Sequence, residues 1–304
     1  MNIRKYILVI SSTLVIAGCV LMSCESSTKN TETSLQLEES FEEKDETSGQ
    51  LIRFNNVVFS VPSPYQFAFF IKDLGIRYNK EYLNPSKNVG NYNTNFKKAL
   101  NMGIYGTDLG YLNIYEQVPD AIEYFATIEK LSGELNLNNA FDGGIINRIK
   151  NNMGNQDSLL YILSNTYREA DAYLKDNDRN ATSVLILAGG WIESLYILTQ
   201  VYKSNPSPKV AQKIAEQKHP LDNLIKILSP YYNLSKEYIT MIDQLIEIAY
   251  DFDGVDYKYE FKEPTHEPKK KFTTINSISE LTISDEQIQN ITKKIQVLRG
   301  NIIK

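Results

Sequence analysis

The polar side chains with the most suggestive spacing are Tyr105, Asp108 and Tyr111, at positions i, i+3 and i+6 of a segment with helical periodicity. This spacing places all three on one side of a helix. Trp191 and Glu193 lie in the most apolar segment of the chain, where a carboxylate needs a partner. These five residues therefore indicate either a polar network inside the core or a pocket that binds a ligand.

Glycines interrupt both of these segments. Gly103, Gly106 and Gly110 lie in the first, and Gly189-Gly190 lies in the second. A glycine inside a helix costs about 0.5–1 kcal/mol relative to alanine, so something should compensate for it. A close crossing of two helix axes, where a side chain would not fit, is the simplest explanation.

Two interpretations of this region stay open. In the first, Asp108, Glu193, a tyrosine hydroxyl and Arg148 satisfy one another inside the core. In the second, the same groups line a pocket between the two glycine-bearing helices, and the protein binds a small molecule, glycan or peptide, or is a hydrolase. An open cavity of several hundred Å³ would support the second interpretation.

Other catalytic or metal-binding signals are weak. The sequence has no G-x-S-x-G, P-loop or H-E-x-x-H motif, and His219 and His266 lie near prolines in expected connectors. The acidic run 251–256 fails the EF-hand template, because its sixth and twelfth positions hold Asp256 and Lys262 instead of Gly and Glu. A helix that ends at Gly254 explains this run better. We expect no cofactor, no metal and no catalytic role.

The N-terminal residues resemble a bacterial export signal. Arg4-Lys5 precedes an apolar run from Ile7 to Met22, which is short for a membrane-spanning helix. Leu21-Met22-Ser23-Cys24 resembles the lipobox, in which the cysteine is acylated and becomes the new N-terminus. Ile16-Ala17-Gly18-Cys19 is the alternative, but apolar residues follow it, whereas polar residues follow Cys24. We therefore expect signal residues 1–23 and lipidation at Cys24, and an acylated cysteine anchors a protein to a bilayer.

Charge is distributed unevenly along the chain. Residues 25–50 carry eight acids and two bases and are poor in large apolar side chains, which predicts a flexible acidic tether over 24–50. From position 51 onward there are 28 bases and 29 acids, so no basic surface for nucleic acid is expected. No cysteine occurs after Cys24, which excludes an intramolecular disulfide in the exported domain.

From Pro64 onward the apolar spacing is mainly helical. It predicts an all-α bundle of about nine helices in one domain over 51–304. The expected helices span about 64–75, 93–115, 119–131, 141–151, 156–175, 180–203, two short segments up to 229, 235–252 and 284–302. The 180–203 helix is apolar nearly all round, which indicates a central position. The last helix is expected to begin with a capping box at Ser284 and Gln287 and to turn Arg299 outward. Its buried face is expected to be a narrow apolar seam of Ile288, Ile291, Ile295, Leu298 and Ile302. Leu51–Val61 and Val255–Phe261 are expected to form at most one small two-stranded ribbon, with 262–276 as an extended connector.

Several blocks together resemble a group of uncharacterised all-helical envelope lipoproteins from Bacteroidota. The resemblance covers most of the chain after about residue 60. It rests on Pro62-Ser63-Pro64, Lys98-Ala99-Leu100-Asn101, Tyr105–Tyr111, Asp157-Ser158-Leu159-Leu160 and Gly189-Gly190-Trp191-Ile192-Glu193. It implies an envelope location and an all-helical domain, with no known activity. We expect the envelope location to be the outer membrane, with its periplasmic and surface faces both open. We expect a lipid-anchored interaction or accessory module, whose partner is an envelope protein or a small ligand.

Overall fold

Helices dominate the computed structural model, which describes residues 50–54, 57–61, 64–137, 144–152 and 179–304 with isolated positions between 155 and 165. The helices are α1 (Pro64–Asp73), α2 (Asn95–Ile114), α3 (Val118–Glu134), α4 (Ile145–Asn151), α5 (Asn180–Ser204), α6 (Pro208–Ala215), α7 (Lys218–Leu228), α8 (Lys236–Asp253) and α9 (Asp285–Ile302). The all-α class is therefore confirmed. In this part of the chain eight helices have eight residues or more, slightly fewer than the nine expected, and α4 has seven.

Several of the sequence-based predictions concern residues that the structure does not describe. The signal, both cysteines, the tether up to residue 49 and most of the expected 156–175 helix lie outside the described residues.

Helix ends follow the local signals in the sequence. The side chains of Thr94, Ser207 and Ser235 each accept a backbone hydrogen bond at the start of α2, α6 and α8. Ser284 and Gln287 form the expected capping box at the start of α9. Gly254 caps the end of α8 as expected. These ends set the helix lengths before any tertiary packing is considered.

The strand prediction is partly wrong. The described residues form three two-stranded antiparallel sheets: β1 (Gln50–Phe54) with β2 (Val57–Val61), β3 (Asp256–Glu260) with β6 (Ile278–Thr282), and β4 (Thr265–Glu267) with β5 (Phe272–Thr274). The first expected segment folds back on itself as β1 and β2, and the second, β3, pairs with β6 on the far side of the β4–β5 hairpin, so the two segments do not pair with each other. The expected connector 262–276 accordingly contains the β4–β5 hairpin.

The core is centred on the crossing of α2 and α5, and α5 is buried nearly all round as expected. Among the described residues α5 is long and apolar enough to span a membrane, but 72% of its most apolar window is buried inside the protein. This burial is typical of the central helix of a globular domain. The predicted seam of α9 is also buried, and it comprises Ile288, Ile291, Ile295, Leu298 and Ile302.

Candidate functional site

The two glycine-bearing helices touch through their backbones. A Cβ atom on Gly103 would lie 1.9 Å from the carbonyl oxygen of Ile186, and one on Gly189 would lie 1.9 Å from that of Leu100. Thr107 and Ser194 both donate hydrogen bonds to the carbonyl oxygen of Gly190, at 3.1 and 2.8 Å. The glycines at 103 and 189 therefore permit a close helix crossing, the explanation that the sequence suggested for them.

Two carboxylates are buried at this crossing. Asp108 on α2 and Glu193 on α5 are both completely inaccessible to solvent. Their cationic partner is Arg299 of α9, whose Nε and Nη2 atoms lie 2.5 and 2.6 Å from the two carboxylate oxygens of Glu193. The same guanidinium lies 4.0 Å from the ring centroid of Tyr196 and donates to the carbonyl oxygen of Tyr82. This bidentate, stacked geometry is specific to arginine.

The sequence-based assignment of the cation was wrong. Arg148, the expected partner, is exposed on α4, whereas Arg299, expected to face outward, is only 6% exposed. The spacing of α9 contained the information, because Arg299 follows Ile295 by four residues and precedes Ile302 by three. These intervals place it on the buried seam. A cation on an apolar seam indicates a buried anion on the neighbouring helix.

Asp108 is expected to hold a proton in this environment. Burial, and next the negative charge of Glu193, raise the pKa of Asp108 well above its ordinary value, and Arg299 opposes this only in part. The Oδ2 atom accepts a hydrogen bond from the backbone N–H of Asn84 at 3.0 Å. The Oδ1 atom is buried and has no hydrogen-bond partner among the described residues, and a proton on this carboxyl leaves Asp108, Glu193 and Arg299 together with no net charge. Burial of the trio then costs less than burial of two anions and one cation.

Arg299 is charged throughout. Burial by itself lowers the pKa of the guanidinium, but the charge and hydrogen bonds of Glu193 outweigh burial, so the pKa is raised. A permanent cation therefore faces the Glu193 carboxylate.

Tyr105 and Tyr111 lie on the same side of α2 as Asp108, as their spacing predicts. Tyr105 donates to the carbonyl oxygen of Pro85 at 3.0 Å, and Tyr111 accepts from the backbone N–H of Asn79 at 3.1 Å. Burial raises the pKa of both phenols, that of Tyr111 to about 12. With Asp108 these side chains fasten the loop between α1 and α2 to the surface of α2.

Sequence reasoning missed an asparagine network beneath this loop. Asn84 is fully buried, and its amide donates to Tyr92 at 2.9 Å and to Asn101 at 3.2 Å. Asn101 in turn donates to the carbonyl oxygen of Ile302 at the end of α9. Asn84 lies in an irregular loop where no periodicity operates, so nothing in its sequence context indicated burial.

Trp191 completes the set of candidates. It lies on α5 and is 2% exposed, and its indole Nε1 finds no acceptor among the described residues. All five candidates are thus at most 2% exposed. The part of the chain that the structure describes offers them no opening to solvent, and their arrangement suits the network interpretation.

The remaining candidates are distributed over the surface. His219 lies in the first turn of α7 and His266 in β4, so the structure places both in regular elements instead of connectors. Asp251 pairs with Lys294 at 2.7 Å, and Gly254 ends α8. Among the described residues no group of three or more His, Cys, Asp or Glu side chains could hold a metal ion.

Comparisons with known proteins give no relative from which a role could be transferred. No protein-family model matches the chain, and neither a curated protein nor a solved structure is significantly similar to it.

Proposed function

We propose that the chain is a bacterial lipoprotein of the cell envelope, anchored through acylated Cys24, which acts as a non-catalytic interaction module. The observation that carries the proposal is Leu21-Met22-Ser23-Cys24, at the end of an apolar leader and directly before a polar, acidic segment. Cys19 is the alternative acceptor. We assign the anchor to the outer membrane, and its periplasmic and outward faces are both compatible with the sequence.

The buried crossing supports the non-catalytic part of the proposal. Asp108 and Glu193 have the residue types of a general acid and base, but both lie out of reach of solvent, and Arg299 holds the Glu193 carboxylate in an ion pair. A substrate would have to separate two helices whose backbones are in contact. The crossing therefore serves stability, and interaction falls to the exposed surface.

Metabolic labelling with radioactive palmitate tests the anchor. We expect label on the wild-type protein and on Cys19→Ser, and none on Cys24→Ser. Label lost only from Cys19→Ser would move the anchor to the alternative cysteine. Label that survives both substitutions together would overturn the proposal, because the chain has no other cysteine.

Thermal unfolding in the presence of a panel of glycans, peptides and small acids tests the non-catalytic part. A ligand that binds the folded state and not the unfolded state raises Tm, and the rise grows with the logarithm of its concentration above Kd. We expect no member of the panel to raise Tm. A ligand that raises Tm would favour the pocket interpretation over the network interpretation.

A further inference from the structure

The polypeptide between α8 and α9 leaves the helical bundle as an exposed β-arm, defined here as residues 256–282. At its base, Val255 is buried and Leu281 and Ile283 pack against the core. Beyond the base, β3 pairs with β6 and β4 with β5. The β-arm therefore consists of paired strands, and its base is packed against the core of the bundle.

Hydrogen bonds join the two ladders of the β-arm. The Asn276 amide donates to the carbonyl oxygen of Glu263 at 2.7 Å and to the hydroxyl of Thr265 at 2.9 Å. The backbone N–H of Lys262 donates to the hydroxyl of Ser277 at 3.2 Å. The position of the tip is therefore set by the structure of the arm.

The β-arm exposes an unusual amount of apolar surface. Of the eleven large apolar side chains that are exposed in the described residues, six lie in this arm, namely Tyr257, Tyr259, Phe261, Phe272, Ile275 and Ile278. Tyr257, Tyr259 and Phe261 alternate along one strand direction, so they share a face. Phe272 and Ile275, 57% and 78% exposed, lie nearer the tip. A concentration of this kind marks an interaction surface.

Charge separates along the same arm. Residues 265–275, the tip, carry Lys269, Lys270 and Lys271 against Glu267 alone, a net charge of +2 with histidine neutral. All three lysines are exposed, and only Lys270 pairs with Glu267. The rest of the arm, 256–264 and 276–282, carries four acids and two lysines, a net charge of −2. The arm therefore presents a positive, apolar tip and an acidic base.

This order of side chains fits a lipid surface better than a protein surface. Lysine is depleted at the centre of protein interfaces, yet here three lysines surround the most exposed apolar residues. At a bilayer, long basic side chains extend to anionic headgroups while phenylalanine and isoleucine enter the acyl boundary. Tyrosines behind them suit the headgroup level.

We propose that the tip of the β-arm docks on an anionic phospholipid surface, a second membrane contact beside the acylated cysteine. The inference rests on the proposed function only in that the anchor attaches the protein to a bilayer. A second contact would fix the orientation of the bundle on the membrane, which a single acylated cysteine does not do.

Tryptophan fluorescence in the full-length protein tests the contact. Trp191 is the only tryptophan of the chain and is buried, so it serves as an internal reference. Phe272→Trp places a second tryptophan at the tip, and Tyr250→Trp places one at a comparably exposed position on α8 as the matched control. Each variant is reconstituted into vesicles whose phosphatidylcholine carries brominated acyl chains, with or without phosphatidylglycerol.

We expect the bromines to quench the added emission of Phe272→Trp about twofold or more in the anionic vesicles. The added emission of Tyr250→Trp and that of Trp191 should stay unchanged. Lys269→Glu with Lys271→Glu in the Phe272→Trp background should abolish the quenching, as should high salt. The matched pair Lys203→Glu with Lys209→Glu, exposed on the bundle, should not.

The outcomes separate this inference from the proposed function. A protein that floats with the vesicles while its tip tryptophan stays unquenched overturns the inference and leaves the anchor in place. Quenching of a protein that carries no acyl label overturns the anchor and supports the inference. A blue shift that needs no vesicles and grows with protein concentration assigns the tip to a second copy of the chain, and overturns the inference.

Discussion

The helix crossing and the β-arm use the same residue types in opposite ways. Tyr105 at the crossing is fully buried and donates to a backbone carbonyl, whereas Tyr259 on the arm is 54% exposed. Arg299 is buried against a carboxylate, whereas Lys269 and Lys271 are exposed. Helical spacing in the sequence therefore identified residues that stabilise the core. The exposed apolar surface proposed for binding lies on a segment with little periodicity, which such spacing does not detect.

The two regions should also differ in their share of stability. At the crossing, each polar atom that loses its partner stays buried, and its desolvation is then uncompensated. On the arm, water replaces any partner that is lost. Substitutions at the crossing that remove a charged partner or add bulk should therefore unfold the protein at lower denaturant concentrations, and those on the arm should leave its stability unchanged.

The largest effect is expected from Arg299→Met. It leaves the Glu193 carboxylate buried without its cation, and breaking a buried pair in this way costs about 3–5 kcal/mol of the free energy of unfolding. Urea denaturation followed by circular dichroism measures this cost. Adding Glu193→Gln should recover part of it, because no uncompensated charge then remains.

Lys258→Met on β3 is the matched control for Arg299→Met. Lys258 is exposed on the arm, so the free energy of unfolding should change by no more than about 0.5 kcal/mol. Equal losses in the two variants would contradict the distinction between the two regions.

A smaller effect is expected from Gly103→Ala. The new methyl group would lie 1.9 Å from the Ile186 carbonyl oxygen, so α2 and α5 must separate. Overpacking of this kind costs about 1–3 kcal/mol. Gly300→Ala on α9 is the control, because nothing lies within 4 Å of its new methyl group. It should instead stabilise the protein by about 0.5–1 kcal/mol. Equal stability of both variants would show that the crossing can open.

The smallest effect is expected from Asp108→Asn, and it depends on pH. Native Asp108 keeps its proton above the pH at which the unfolded chain releases it, about pH 4. Wild-type stability should therefore fall as pH rises from about 4 through the raised native pKa of Asp108. The amide that the substitution introduces replaces the protonated acid without titrating, so this fall should be absent from the variant.

Thermal unfolding between pH 4 and pH 8 measures the difference. Relative to wild type, Asp108→Asn should gain stability steadily as the pH rises over this range, because only the wild-type carboxyl has to release or keep a buried proton. Parallel curves for the two proteins would contradict a protonated Asp108.

Local pattern was sufficient for the helices and for part of the site. Apolar residues three and four positions apart predicted α2, α5, α8 and α9 with ends close to those observed, because capping residues act within one turn. The same periodicity correctly placed Tyr105, Asp108 and Tyr111 on one face. Glycines within two helices pointed to a close crossing, since only close packing compensates for their cost.

The local sequence pattern did not predict which residues far apart in the chain contact each other. Arg299 meets Glu193 over a separation of 106 residues, and Asn101 meets Ile302 over 201. Strand patterns predicted β3 but neither its partner β6 nor the hairpin at the tip of the arm. Periodicity describes which side of an element is apolar, whereas pairing depends on which elements pack together. Those choices arise from the sum of many weak contacts over the whole core, and no single segment carries that sum.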